Sequence, residues 1–249
     1  MQAQRHAHTP SLSRLMALAA LCAPLGSAYA QKAGDFVVGA GVLHYAPQDK
    51  SSTLRFTSPV EREIPGSGSS LRSSTTLGFS GHYFITDQVA IEGVLGVPPR
   101  LKLYGSGTLA PLGQLGSARL YGPTVLAKYF FGEPEDKLRF SAGVGLTYAY
   151  FGNTRLNGGL QQALGGAIGL PPGASTTSAK IDNKFGPVLN VGVNYAFTKN
   201  LGMTFSVSYI QMKTTATMTT RVNGNAVAVS KAKLTLDPIV PFLYLTYKF

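Results

Sequence analysis

Apolar and polar positions alternate with period two in eight segments of this chain, the signature of β-strands with two unlike faces. The fifth segment is the cleanest. Phe140, Ala142, Val144, Leu146, Tyr148 and Tyr150 share one face, and Arg139, Ser141, Gly143, Gly145, Thr147 and Ala149 the other. The sixth sets Phe185, Pro187, Leu189, Val191, Val193, Tyr195 and Phe197 against Gly186, Asn190, Gly192 and Asn194. Segments around residues 77–83, 89–97, 121–131, 201–209 and 238–249 repeat the theme. In the first, Phe36 to Tyr45, both faces are largely apolar and parity alone does not orient it.

Within the apolar faces of segments two to eight no charged residue occurs; Glu92, Lys128, Arg139 and Lys248 all fall on the opposite parity. A Lys or Arg facing lipid at the bilayer midplane costs about 2–4 kcal/mol, so a membrane selects this sorting. A soluble sandwich also alternates, but its outer faces carry many charges. Here the second face is mostly Gly, Ser, Thr and Asn, which suits a narrow interior.

The connections agree. Those at 85–88, 132–137 and 198–200 are short, and those at about 46–74, 98–118, 152–183 and 213–232 are long. Strict alternation of this kind predicts an all-β protein: an eight-stranded antiparallel transmembrane β-barrel with short periplasmic turns and four long external loops. Asn223-Gly224 between Thr- and Val-rich arms reads as a hairpin turn, so that strands seven and eight project beyond the membrane.

Composition adds the compartment. Residues 1–30 read as a cleaved signal peptide: Arg5 and Arg14, an apolar core from Leu15 to Leu25, and Ala28-Tyr29-Ala30 before Gln31. Residues 31–249 then form the barrel domain, in the bacterial outer membrane. The signal holds the only cysteine, Cys22, so the mature chain has no disulfide and no Cys-based metal site. The 22 basic residues outnumber the 11 acidic ones, but they are scattered and form no run of the kind that marks a nucleic-acid partner.

At this point the chain resembles the outer-membrane protein W family of eight-stranded barrels. The match is carried by Gly34-Asp35-Phe36-Val37-Val38-Gly39-Ala40-Gly41-Val42, by Gly122-Pro123-Thr124-Val125-Leu126-Ala127-Lys128-Tyr129-Phe130-Phe131-Gly132, and by Ala142 to Tyr148. Leu236-Asp237-Pro238-Ile239-Val240 and Tyr247-Lys248-Phe249 complete it, with Ile239 where the family usually has Trp. The resemblance implies a narrow, largely hydrophobic interior that passes small apolar molecules, which leave sideways into the membrane. It also turns Gly39 and Gly41 inward and Val38, Ala40 and Val42 outward.

An eight-stranded barrel holds its own side chains or one small ligand, which disfavours a general aqueous porin. Three candidate features follow. Glu92, Lys128 and Arg139 lie on neighbouring strands, inward-facing and near the periplasmic edge; they form either an ion-paired plug or ordinary core filling. Leu43, Tyr45, Leu54 and Phe56, with Leu160, Leu164 and Ile168 of the third long loop, form either an apolar funnel or a loop packed on itself. Leu160, Leu164 and Ile168 share a face if a short helix forms, against which Gly165 and Gly166 argue. Tyr247 and Phe249 form a terminal aromatic signature addressed to the outer-membrane barrel assembly machinery.

The expected partners are outer-membrane lipids and lipopolysaccharide, that assembly machinery and a small hydrophobic solute; no cofactor is expected. Catalysis finds little support. His44 and His82, the histidines outside the signal, fall near opposite ends, and no G-x-S-x-G, H-E-x-x-H or Walker pattern is present. The competing reading is a barrel that transports nothing and presents its loops to lipopolysaccharide, phage or host surfaces.

Overall fold

The computed structural model describes residues 31–249 except Asp49; the expected signal segment lies outside the described residues. Eight strands carry the span: β1 (Phe36–Tyr45), β2 (Ser74–Phe84), β3 (Val89–Gly96), β4 (Thr124–Phe130), β5 (Leu138–Leu156), β6 (Lys184–Ala196), β7 (Leu201–Ile210) and β8 (Ile239–Lys248). Each pairs antiparallel with its chain neighbour. β8 pairs in turn with β1, through Val38↔Tyr247 and Gly41↔Tyr244, so the sheet closes and leaves no edge. Among the described residues no helix is long and apolar enough to cross a membrane; the span is made by strands.

The outer face is the apolar parity. Leu77, Phe79, Leu95, Val125, Val144, Leu146, Leu189, Val191, Phe205, Leu243 and Leu245 are all exposed, while Ser80, Glu92, Lys128, Ser141, Asn190, Asn194, Thr204 and Ser206 are buried. That is a soluble protein turned inside out, as lipid around the barrel requires. β1, which parity left open, has Val37, Gly39 and Tyr45 buried, and Phe36, Ala40 and Val42 exposed. Three short turns close one end. In two of them a hydroxyl caps the reversal: Thr86 Oγ1 accepts from the Val89 N–H and Thr198 Oγ1 from the Leu201 N–H, both at 3.0 Å.

The long external loops carry strands of their own. Ser67–Leu71, Arg100–Gly107 and Gln114–Tyr121 form a sheet that joins the upper part of β5, so β5 runs on to Leu156. A second, separate sheet contains Thr176–Ile181, Lys213–Val222, Asn225–Thr235 and the short strands Arg55–Ser58 and Arg62–Glu63. The hairpin at Asn223-Gly224 forms, with φ of 50° and 84° at the two turn residues, as a tight reversal demands. Its arms extend the β7–β8 pair outward past an irregular step, across which the Leu236 N–H donates to the Met212 carbonyl at 2.9 Å. The chain bends there at Asp237 (φ 31°), whose carboxylate Oδ1 accepts from the Met212 N–H at 2.8 Å.

The doubted helix also forms: α1 spans Gly158–Gly166. Burial of Leu160 and Leu164 outweighs the helix-weakening glycines. Gly165 is there for space, since a Cβ would meet Ser175 Oγ at 2.8 Å. Asn157, just before the helix, spends its amide on the Gln114 carbonyl (2.8 Å) instead of capping.

Candidate functional site

The barrel interior has a polar floor and apolar walls above it. Alternation on β2, β3, β4 and β8 points His82, Glu92, Lys128 and Tyr244 at one another. Glu92 Oε2 lies 3.1 Å from Lys128 Nζ, and its Oε1 lies 3.1 Å from His82 Nε2. The Lys128 contact is an ion pair, and neither contact has good hydrogen-bond direction. The Tyr244 hydroxyl donates to Glu92 Oε1 at 3.1 Å, and its ring stacks on His82 with centroids 6.3 Å apart. Phe130 seals the cluster from below: His82 meets its ring edge-on, and Lys128 Nζ sits 5.6 Å from its centroid. All five are buried.

Tyr244 fits there only because β1 is bare beside it. A Cβ on Gly39 would strike the Tyr244 ring and Ser80 Oγ, and one on Gly41 would strike the β8 backbone. The inward glycines of the first strand are thus the space into which the closing strand inserts its aromatic ring.

Above the floor lie two chambers. The lower, about 830 Å³ with its openings, is lined by Leu43, Tyr45, Val94, Leu126, Val188 and Phe242, with Glu92, Asn190 and Ser206 toward its base. The upper, about 910 Å³ with its mouth, sits within the loop sheets and is lined almost wholly by apolar groups, among them Leu54, Leu103, Leu109, Leu115, Leu160 and Met218. Leu101, Leu120, Met212 and Leu236 belong to one packed cluster that contributes to both linings, Leu101 and Leu236 to the upper and Leu120 and Met212 to the lower.

The residues singled out from the sequence divide among these parts. Leu54 and Leu160 line the upper chamber, and Leu43 and Tyr45 the lower. Phe56 and Leu164 are buried in the packing beneath α1, with Ile168 half-buried against it. Of the three charges grouped together, Glu92 and Lys128 pair, but Arg139 does not join them. Its guanidinium donates to the carbonyls of Asp87 (2.9 Å), Phe130 (3.3 Å) and Gly132 (3.5 Å), bracing the periplasmic turns on the far side of the Phe130 ring. Carbonyl oxygens closer to hand take its donors, and a plug of three paired charges is corrected to a pair with His82 and Tyr244. Those two were missed, though both lie on inward parity and His82 is the register partner of Glu92. His44 is remote from this cluster and bonds Thr75 Oγ1 at 2.8 Å.

A closed eight-stranded barrel with a lipid-facing belt defines this protein as a small β-barrel of the bacterial outer membrane. The model of the OmpW family matches residues 32–249, and the chain belongs to that family. It is 30% identical over 233 residues to outer membrane protein W of Vibrio cholerae, covering 92% of this chain and 96% of that one. A Pseudomonas aeruginosa relative named dibenzothiophene metabolism operon protein PahQ is 24% identical over 76% of this chain and 78% of its own. Among solved structures, OprG of Pseudomonas aeruginosa superposes with a TM-score of 0.76 at 23% identity, over 90% of this chain and 99% of that one.

Proposed function

We propose that the barrel carries small apolar molecules through the lipopolysaccharide-bearing outer leaflet, with no covalent chemistry. Neutral solutes collect in the upper chamber, pass the cluster of Leu101, Leu120, Met212 and Leu236, and reach the lower chamber. The buried Glu92–Lys128 pair then bars the straight route, because a solute without polar groups cannot replace those contacts. Exit is sideways through the barrel wall. The observation that carries this reading is the nearly complete apolar lining of the upper chamber. The name of the PahQ relative fits the same solute class, since dibenzothiophene is a flat, uncharged aromatic.

The test is uptake of radiolabelled dibenzothiophene by cells whose own copy is deleted, complemented with wild type or with Leu101→Asp. Faster uptake with wild type, and uptake with Leu101→Asp near that of uncomplemented cells, supports the reading. Equal uptake in all three strains, with the variant folded, ends it.

A further inference from the structure

One flank of the external end is cationic without a balancing acid. Residues 64–86, 93–132 and 137–181 contain no Asp or Glu. The acids that interrupt this stretch are Asp87, Glu133, Glu135 and Asp136 in the periplasmic turns and Glu92 inside the barrel. At the opposite end stand Arg72, Arg100, Lys102 and Arg119, all exposed and none in an ion pair among the described residues.

Their arrangement is set by the sheet. Leu101, Ala118 and Leu120 are buried against the chambers, so alternation turns Arg100, Lys102 and Arg119 outward. Arg100 and Arg119 are direct cross-strand partners, a like-charged pairing that is unfavourable unless an anion bridges it. The backbone N–H of Arg72 donates to the Lys102 carbonyl, and the Arg72 guanidinium lies 4.4 Å from the Tyr104 centroid, so it is held beside the others. The height is also defined. Arg119 is two residues, about 7 Å, above Tyr121, whose ring packs on Tyr150 at 5.5 Å where the lipid-facing belt ends. That is the level at which lipid phosphates lie.

We propose that Arg72, Arg100, Lys102 and Arg119 form a binding face for the phosphorylated saccharide headgroup of lipopolysaccharide in the outer leaflet. Arginine forks match phosphate oxygens two at a time, and two opposed arginines can share one phosphate. A repeating phosphate-bearing headgroup, unlike a single free anion, would engage all four cations at once. This face points away from the chambers and does not depend on the uptake reading.

The test uses purified full-length protein in detergent, titrated with deep-rough lipopolysaccharide, with the same lipid stripped of phosphate, and with phosphatidylglycerol. We expect wild type to bind the phosphorylated lipid at least tenfold more tightly than Arg100→Gln/Lys102→Gln/Arg119→Gln does, and at least tenfold more tightly than it binds either other lipid. Arg119→Gln alone, which leaves three cations and the fold in place, should give an intermediate loss. Lys199→Gln at the periplasmic turn should bind as wild type. Undiminished binding in the folded triple or single variant overturns the proposal, as does equal affinity for the phosphate-free lipid. Equal affinity for phosphatidylglycerol also overturns it, since the face would then read negative charge alone.

Discussion

The Tyr244 hydroxyl and the Glu92 carboxylate share a hydrogen bond of 3.1 Å inside the barrel, between residues 152 positions apart in the chain. It ties the closing strand to the third strand across the lumen. The same carboxylate faces Lys128 and His82, so one acid links four strands.

Glu92→Gln keeps an acceptor for Tyr244 but leaves Lys128 buried without a counter-charge. The expected loss is about 3–5 kcal/mol, the usual consequence of breaking a buried pair by one member. Adding Lys128→Met should restore most of it. The chain has no Trp, so tyrosine fluorescence during urea unfolding in lipid vesicles is the measurement. A Glu92→Gln barrel as stable as wild type would show that the pair contributes nothing.

Gly39→Val drives new atoms into the Tyr244 ring and Ser80. Overpacking of this kind costs about 1–3 kcal/mol, here at the seam where the barrel closes. The companion change Tyr244→Ala should relieve part of the clash, so the double variant folds more completely than Gly39→Val alone. Gel-mobility assays of folding into vesicles distinguish them. Equal folding yields for the two would refute this account of the glycine.

Val144 stands midway along the membrane part of β5 and is 60% exposed. Val144→Arg should destabilise the barrel by about 2–4 kcal/mol, whereas Leu138→Arg at the periplasmic end should cost at most about 1 kcal/mol. Unfolding free energies in bilayers test the ordering. The reverse order would mean that the belt has been placed at the wrong height.

Leu164 is almost fully buried beneath α1 and away from the spanning strands. Leu164→Ala should cost about 2–5 kcal/mol locally, with the loss confined to the external region. Limited proteolysis should then cut faster around residues 157–175 while heat stability of the barrel stays near wild type. Simultaneous loss of both would show that loops and barrel unfold as one unit.

The strands after the first were legible because each obeys one local rule: a side chain faces lipid or it does not, and Val144 or Leu189 announces this without reference to a partner. The external sheets alternate in places, but what their buried side chains face is not lipid or a common lumen. Leu115 and Leu160 are buried against segments far away in sequence, so their order depends on pairings that period-two counting cannot see. The polar floor was half legible. Glu92 and Lys128 stood out as charges on the inward parity, while His82 and Tyr244 look unremarkable until strand register sets them at the same height. Arg139 misled for the opposite reason: its parity was right, but carbonyls at the turns hold it one layer lower.

The pairing of β1 with β8 joins the two spanning strands that are furthest apart along the chain. Every other barrel seam brings together strands that are neighbours in sequence, so this one bears the greatest loop-closure entropy and has the least help from local contacts. Sealing is therefore expected as the final step of assembly, and the slot made by Gly39 and Gly41 acts as its latch: a ring that seats late, between partners already in position, converts a curled open ribbon into a finished cylinder.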